Sequence, residues 1–342
     1  MPSSRHWSRP PPSVRDNERV SSSVDAPATD AWVPDVLGAP YTARTLELPD
    51  DDEGPVVATL VRRPSATPTT RAVLYVHGFA DYFFQTSYAE WWTERGYDFY
   101  ALDLRKYGRS IRPHQTPNYV SDLHDYFPEL DAAWEEVRAE HPHVVVSGHS
   151  TGGLTVSLWS RARHPDAAGL VLNAPWFDLQ TSTVMRLALS PVVQGLARSR
   201  PKRPLPRTVS GYYARSLHRD HDGEWDFDLS WKPLYSWPAY AGWLAAVRRG
   251  QLELHRGLGL AFPAFVVASA RSSSPLEMGE DVHTTDIVLD VRQIRRWAPA
   301  LGRHVTYVSV PDARHDVFLS RPGPRAHALA ALDRWLTEYV ER

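Results

Sequence analysis

The run VVVSGHSTGGLTV, 144–156, sets one serine where an apolar stretch gives way to a helical one. Gly148-His149-Ser150-Thr151-Gly152 fits G-x-S-x-G, a spacing that suits a sharp strand-to-helix reversal. A serine at such a hinge stands clear of its own backbone and is open to attack a carbonyl carbon. Gly148 and Gly152 give the reversal room because they carry no side chain. Three small residues at about 7% each meet by chance in roughly one chain of this size in ten, so the surrounding elements must decide.

A hydroxyl is a weak nucleophile until a base takes its proton, a third group orients that base, and amide donors receive charge on the substrate oxygen. The chain has 15 histidines, so position has to choose the base. His315, in PDARHDVF, follows the apolar run HVTYVSV and precedes the last amphipathic stretch, where a base on a strand-end loop belongs. His304 lies at the wrong end of that run, and His283 falls on the loop expected to carry the acid.

For the acid the sequence offers Glu277, Glu280, Asp281, Asp286 and Asp290. Asp290 has a structural explanation, a capping box with Gln293 at the start of the helix VRQIRRWA. Asp286, in TTDIVLD, precedes apolar residues able to anchor its loop, and is favoured, with Asp281 and Asp290 as rivals. The oxyanion site is expected to combine the Thr151 amide with that of Phe79, in His77-Gly78-Phe79, where Gly78 lets the backbone come close. The DYFF run after it, 81–84, either lines the acyl pocket or packs beneath a covering segment.

These residues need a scaffold, and the hydropathy pattern supplies one. YTARTLEL and PVVATLVRR, joined by PDDDEG, read as a hairpin. AVLYVHGF, YDFYALDL, HVVVSG and AAGLVLNAP are continuous apolar runs of the kind buried on both faces of a parallel sheet. Helical patterns near 87–95, over 120–140 and from GGLTVSLWSRAR alternate with them. The cadence predicts an α/β fold with a mostly parallel sheet. It breaks at Trp176, where a stretch rich in Arg, Pro and Trp begins, including the helical pattern VMRLALSPVVQGLAR and the basic run 198–207. It resumes with FPAFVVAS, the helix DVRQIRRWAPALG, the strand HVTYVSVP and a final helix RAHALAALDRWLTEYV. The expected organisation is a disordered tail over 1–40, a core over 41–177 and 257–342, and an inserted cap over 178–256. The six-residue spacing of Trp225, Trp231, Trp237 and Trp243 matches neither helix nor strand and is taken as coincidence.

Composition closes other routes. With no cysteine, the 342-residue chain has no thiolate nucleophile, disulfide or Cys-ligated zinc. A net charge of -2 gives no field to recruit nucleic acid. No segment reaches the roughly 18 apolar residues of a membrane span, and the first thirty residues hold no apolar run of a secretory signal, so a cytoplasmic location is expected. Nothing in the pattern calls for a metal or an organic cofactor.

HGF after the third strand, GHSTGG at the hinge, the late Asp and His, and an insert after the sixth strand resemble the monoacylglycerol lipase and lysophospholipase branch of the α/β-hydrolases, the serine aminopeptidase-like group. The resemblance implies an α/β-hydrolase fold, a Ser150, Asp286 and His315 triad, and the Phe79 and Thr151 amides as oxyanion hole. It departs at two places. Such lipases carry D-x-x-G-x-G-x-S after the fourth strand, whereas this chain reads Asp103-Leu-Arg-Lys-Tyr-Gly-Arg-Ser110, and the acid loop is lengthened by RSSSPLEMGEDVHTT. The expectation is a metal-independent carboxylic ester hydrolase acting on an apolar or lipid-like ester. Cleavage of amides, lactones or thioesters, acyl transfer and perhydrolysis stay open for the same triad, and a ligand-binding receptor or scaffold is the alternative from another class. The sequence leaves substrate and oligomeric state undetermined.

Overall fold

The structure, a computed structural model, describes residues 31–179, 194–206 and 210–342. Nine strands form one sheet in the order β1-β2-β3-β5-β4-β6-β7-β8-β9. They are β1 Val33–Pro34, β2 Thr42–Asp51, β3 Gly54–Arg63, β4 Arg71–Val76, β5 Asp98–Asp103, β6 His143–His149, β7 Gly169–Asn173, β8 Ala264–Ser269 and β9 Val305–Val310. From β5 onward the pairing is parallel, while β1, β2 and β3 join antiparallel at one edge. The runs read as buried strands are buried, β5 and β8 along their whole length.

Eight helices matter below: α1 Thr86–Glu94, α2 Phe127–Glu140, α3 Thr151–Arg163, α4 Tyr212–Leu217, α5 Ala241–Leu254, α6 Glu280–Thr284, α7 Val291–Trp297 and α8 Pro322–Tyr339. Alternate residues of the buried strands face opposite ways and feed two cores. One face joins Leu74, Val76 and Val146 to Leu130 and Val137 of α2, Leu154 and Leu158 of α3, and Trp243 and Val247 of α5. The other joins Val73, Tyr75 and Val145 to Tyr88 and Trp92 of α1 and Leu332 and Trp335 of α8.

The chain leaves β4 for β5 on one side and then crosses back to β6 on the other. Loops after β4 and β6 therefore diverge and open a crevice at their carboxyl ends, the usual ligand position in such sheets. Gly78 follows β4 and Ser150 follows β6, so the two motifs meet there.

Two expectations about organisation change. Part of the stretch 1–40 expected as a disordered tail is ordered: Val33–Pro34 pairs with Ala43 and Thr42, and the Asp35 carboxylate takes two hydrogen bonds from Arg109, at 2.6 and 2.8 Å, while residues 1–30 lie outside the described residues. A short edge strand with no alternation gives the sequence pattern too little to register, and it moves every later strand up one in the count. Helix α5, inside the 178–256 boundary, shares the main core: Gly250 lies against Leu123 and Leu158, where a Cβ would approach both to 2.8 Å. Most of the pattern VMRLALSPVVQGLAR, and the end of the basic run, lie outside the described residues.

The departure in the Asp103 to Ser110 run has a local account. Lys106 stands where the lipase pattern has its first glycine and still adopts φ +64°. Its ammonium is buried, 2.6 Å from both Asp51 and Glu53 of the β2–β3 hairpin. Ion pairing thus holds a conformation that a side chain disfavours. Glu53 also accepts from Thr116, and Lys202 reaches Asp52 at 2.7 Å and Glu53 at 2.9 Å. Burial alone would raise the Glu53 pKa, but hydrogen bonds from Lys106, Thr116 and Lys202 outweigh it and bring the group from 4.5 to about 2. A folded-state pKa below the unfolded one adds stability above the unfolded value and loses it on acidification. We therefore expect this contribution to be complete above about pH 4.5 and to fade towards pH 2. Denaturant midpoints of wild type and Glu53→Gln should converge across that interval; a gap independent of pH would contradict the assignment.

Candidate active site

The carbonyl of Asn173 at the end of β7 accepts the Ser150 amide at 3.0 Å, and the Ser150 carbonyl accepts from Leu154 and Trp176 at 3.3 and 3.0 Å. Held from both sides, Ser150 takes φ 52° and ψ −118°, outside the ordinary range for a side chain. Such a residue carries strain of about 1–3 kcal/mol and persists only where its surroundings over-determine it. The glycines are part of those surroundings. A Cβ on Gly152 would run into the His77 carbonyl, and one on Gly148 would come within 2.9 Å of the Gly153 backbone. Helix α3 packs this close to β4 and β6 because these positions have no side chains.

His315, on the loop between β9 and α8, places Nε2 3.0 Å from the Ser150 Oγ. Its Nδ1 lies 2.9 Å from Oδ2 of Asp286, a side chain with no exposed surface. A carboxylate only accepts, so Nδ1 carries the proton and Nε2 presents its lone pair to the serine hydroxyl. The other Asp286 oxygen accepts the Val288 and Leu289 amides at 2.8 and 2.7 Å, which fixes the carboxylate plane. The acid rivals lie elsewhere. Asp281 is half exposed and pairs with Arg271, Glu280 pairs with Arg321, and Glu277 is exposed. Asp290 caps α7 by accepting the Arg292 amide at 3.0 Å. The expected box is incomplete, since Gln293 Oε1 is buried without a partner.

Thr151 opens α3, where the first amides of a helix have no intrahelical acceptor and the dipole favours negative charge. Gly78 brings the β4 loop against the hinge, with room for a Cβ only 3.0 Å from that of Ser150. Phe79 and Thr151 both border a cavity of about 880 Å³ that also contains Ser150 and His315. Its walls include Trp176, Trp243, Leu244, Ile287 and Val288. Phe79 packs on Trp243 with ring centres 4.1 Å apart. Of the DYFF run, Asp81 reaches the cavity. Phe83 is in the core with Tyr75 and Phe99, and Tyr82 and Phe84 pack against Leu217 and Phe227, so the aromatics of this run support the site from behind.

The sequence reading missed several supports. Asn173 Nδ2 donates to Asp316 at 2.6 Å and Asn173 Oδ1 accepts the Val317 amide at 3.1 Å, tying the His315 loop to the end of β7. His149 sits with its ring centre 4.8 Å from that of His315 and its Nδ1 3.1 Å from the Asn173 carbonyl. Burial lowers the His149 pKa, with the neighbouring His315 acting in the same direction. His283, on the loop that carries Asp286, receives a hydrogen bond from Arg314 at 2.8 Å and so ties that loop to the one that carries His315. Asparagine after a buried strand, as in LNAP, is the one signal that marks Asn173 in the sequence. Among the described residues, no group of three or more His, Asp or Glu side chains is arranged to hold a metal ion, and no helix is long and apolar enough to cross a membrane.

A mostly parallel sheet flanked by helices, with a strained serine after a central strand and an acid and a histidine on later loops, defines an α/β-hydrolase, an enzyme of the esterase and lipase kind. Within that class, the model of the serine aminopeptidase S33 family matches residues 67–268, more than half the chain, and the protein belongs to that family. A phospholipase of Bacillus subtilis, YtpA, is 28% identical over 120 residues, 34% of this chain and 45% of the relative, so the match spans less than half of that protein. A monoglyceride lipase of Saccharomyces cerevisiae superposes with a TM-score of 0.65 at 16% identity, covering 92% of this chain and 98% of that one. A thermostable carboxyl esterase of Bacillus coagulans gives 0.64 at 13% identity, covering 87% and 99%. These distant structures share the fold.

The hinge geometry carries a stability test. Gly152→Ala forces the new methyl group against the His77 backbone, which has little freedom to retreat, and overpacking of this kind typically costs about 1–3 kcal/mol. Its melting temperature should fall well below that of wild type, whereas Gly323→Ala, with open space around the position, should leave it within a degree or two.

Proposed function

We propose that the protein is a serine-dependent carboxylic ester hydrolase working through an acyl-enzyme on an apolar, lipid-like ester. The observation that carries this is the continuous hydrogen-bonded run from Asp286 through His315 to Ser150, ending at the wall of the apolar cavity. As Ser150 Oγ attacks the ester carbon, its proton passes to His315 Nε2, and the Asp286 carboxylate steadies the imidazolium. Charge gathering on the carbonyl oxygen falls to the Phe79 and Thr151 amides. The C–O bond then breaks, the departing alcohol takes the proton from His315, and Ser150 remains acylated. Water then attacks the acyl carbon and gives a proton to His315, the bond between the acyl carbon and Oγ breaks to release the carboxylic acid, and the proton passes from His315 to Oγ to restore the serine.

The apolar walls support an acyl chain as the group held there, and the volume lies within the roughly 300–1,000 Å³ typical of ligand pockets. The relatives described as a phospholipase and a monoglyceride lipase agree with a lipid ester. On this reading the segment 178–256 acts as the cap that shapes the pocket, with α5 as its fixed wall.

Ser150→Ala should abolish turnover of p-nitrophenyl esters and labelling by a fluorophosphonate without moving the melting temperature by more than a few degrees. Undiminished hydrolysis would refute a serine nucleophile. Hydrolysis rates along a series from acetate to laurate should rise with chain length until the cavity is filled; a maximum at acetate would refute the lipid-like substrate. Asp286→Asn is expected to cut kcat by about 10³–10⁴-fold by reversing the histidine tautomer. Asp290→Asn should cost at most about 1 kcal/mol of stability, since asparagine also caps helices. Kinetic effects in the reverse order would assign the acid to position 290.

A further inference from the structure

The loop that carries Phe79 continues into Asp81 and Tyr82, and a segment about 150 residues later is fastened to it at four points. Lys232 Nζ lies 2.9 Å from Asp81 Oδ1, with both side chains buried. The Asp228 amide donates to the Tyr82 hydroxyl at 2.6 Å. Tyr82 meets Trp231 edge to face at 5.1 Å, and Phe84 packs on Phe227 at 4.7 Å. The ammonium also stands 5.5–5.8 Å from the ring centres of Phe84, Tyr213 and Phe227, within cation–π range. Tyr213 in turn sets its ring edge to face with that of His315, at 5.5 Å.

We propose that the Asp81–Lys232 pair is a positioning element of the active site, through which the segment 227–232 holds the Phe79 amide at the distance that the transition-state oxygen requires. This rests on the serine hydrolase reading. Asp81 is two residues from Phe79, and Ala80 between them is held at φ +50°, so displacement of Asp81 is passed to the amide through a short and stiff link. Burial acts to raise the Asp81 pKa, but Lys232, His149 and His77 outweigh it and the net shift is downward. The carboxylate is therefore charged in the folded enzyme, and the lysine is its counter-charge. A donor fixed in advance is worth far more than one that must reorganise, and misplacement by about an ångström costs up to 10²-fold in rate. The pair borders the same cavity as Ser150, yet its lysine comes from the segment read as the cap. On this account the cap contributes to rate as well as to selectivity.

The test compares wild type with Lys232→Met and with the double variant Asp81→Asn/Lys232→Met, which removes the fastening without stranding a buried charge. Rates are expressed per active site titrated with fluorophosphonate, so loss of folded enzyme does not count. Both variants should lose about 10- to 100-fold in kcat with KM changed less than twofold. Their affinity for an alkyl boronic acid, which puts a tetrahedral oxygen in the oxyanion site, should fall by a similar factor. Wild-type kcat per titrated site with only a lower melting temperature would reduce the pair to a structural role and overturn the proposal. So would a rise in KM alone, which would make Lys232 a substrate contact, and so would full recovery in the double variant, which would trace the effect to an unpaired charge. A wild-type enzyme that takes no label at Ser150 would overturn the serine reading and this role with it, whereas labelled wild type with unaffected variants overturns this role alone.

Discussion

The backbone at Ser150 turns from strand to helix within one residue, and it does so against its own preference. What holds it is a set of neighbours with no slack: the Asn173 carbonyl on the amide side, the Leu154 and Trp176 amides on the carbonyl side, and glycines at 148 and 152 where any methyl group would strike backbone. The requirement spreads outward from there. Helix α3 has to lie close to β4, which fixes Gly78 and Phe79 beside the serine. The end of β7 has to reach the Ser150 amide, and Asn173, already committed by its carbonyl, uses its side chain to hold Asp316 and the His315 loop. One asparagine thus couples Ser150 to the His315 loop through three hydrogen bonds.

Two buried ionic groupings act at different distances from this centre. Lys106 with Asp51 and Glu53 secures an irregular turn, and Lys202, which also pairs with Glu53, links the hairpin to the stretch 194–206. Asp81 with Lys232 lies at the cavity wall. Buried charge pairs contribute little net stability against apolar replacements, but breaking one partner is costly, so they enforce a particular arrangement more than they strengthen it. Both groupings join parts of the chain far apart in sequence, and neither leaves a local pattern from which it could be read.

That distinction explains what was legible. The buried strands, α1, α3 and α8 announce themselves through periodicity, and the serine hinge through glycines that are needed for close packing and therefore cannot vary freely in kind. His315 and Asp286 are reachable from the sequence because topology confines such groups to strand-end loops, and the structure sets His315 against Ser150 and Asp286 against His315. The two-residue strand β1 was missed because it lacks a period. Helix α5 reads as part of the cap because its surroundings are rich in Trp, Arg and Pro, whereas its own apolar face belongs to the core. The four evenly spaced tryptophans serve unrelated ends: Trp225 donates to the Leu319 carbonyl, Trp231 backs Tyr82, Trp237 donates to the Trp231 carbonyl, and Trp243 lines the cavity.

Because α5 is rooted in the core by Trp243, Val247 and Leu254, the pocket has one wall inherited from the scaffold and others carried by the connection that precedes it. Grafting that preceding connection from a relative, with α5 left in place, would exchange the interchangeable walls and keep the tryptophan against which Phe79 is packed. The fold thereby separates walls of the cavity that can be exchanged from one that cannot shift without disturbing the Phe79 loop packed on Trp243.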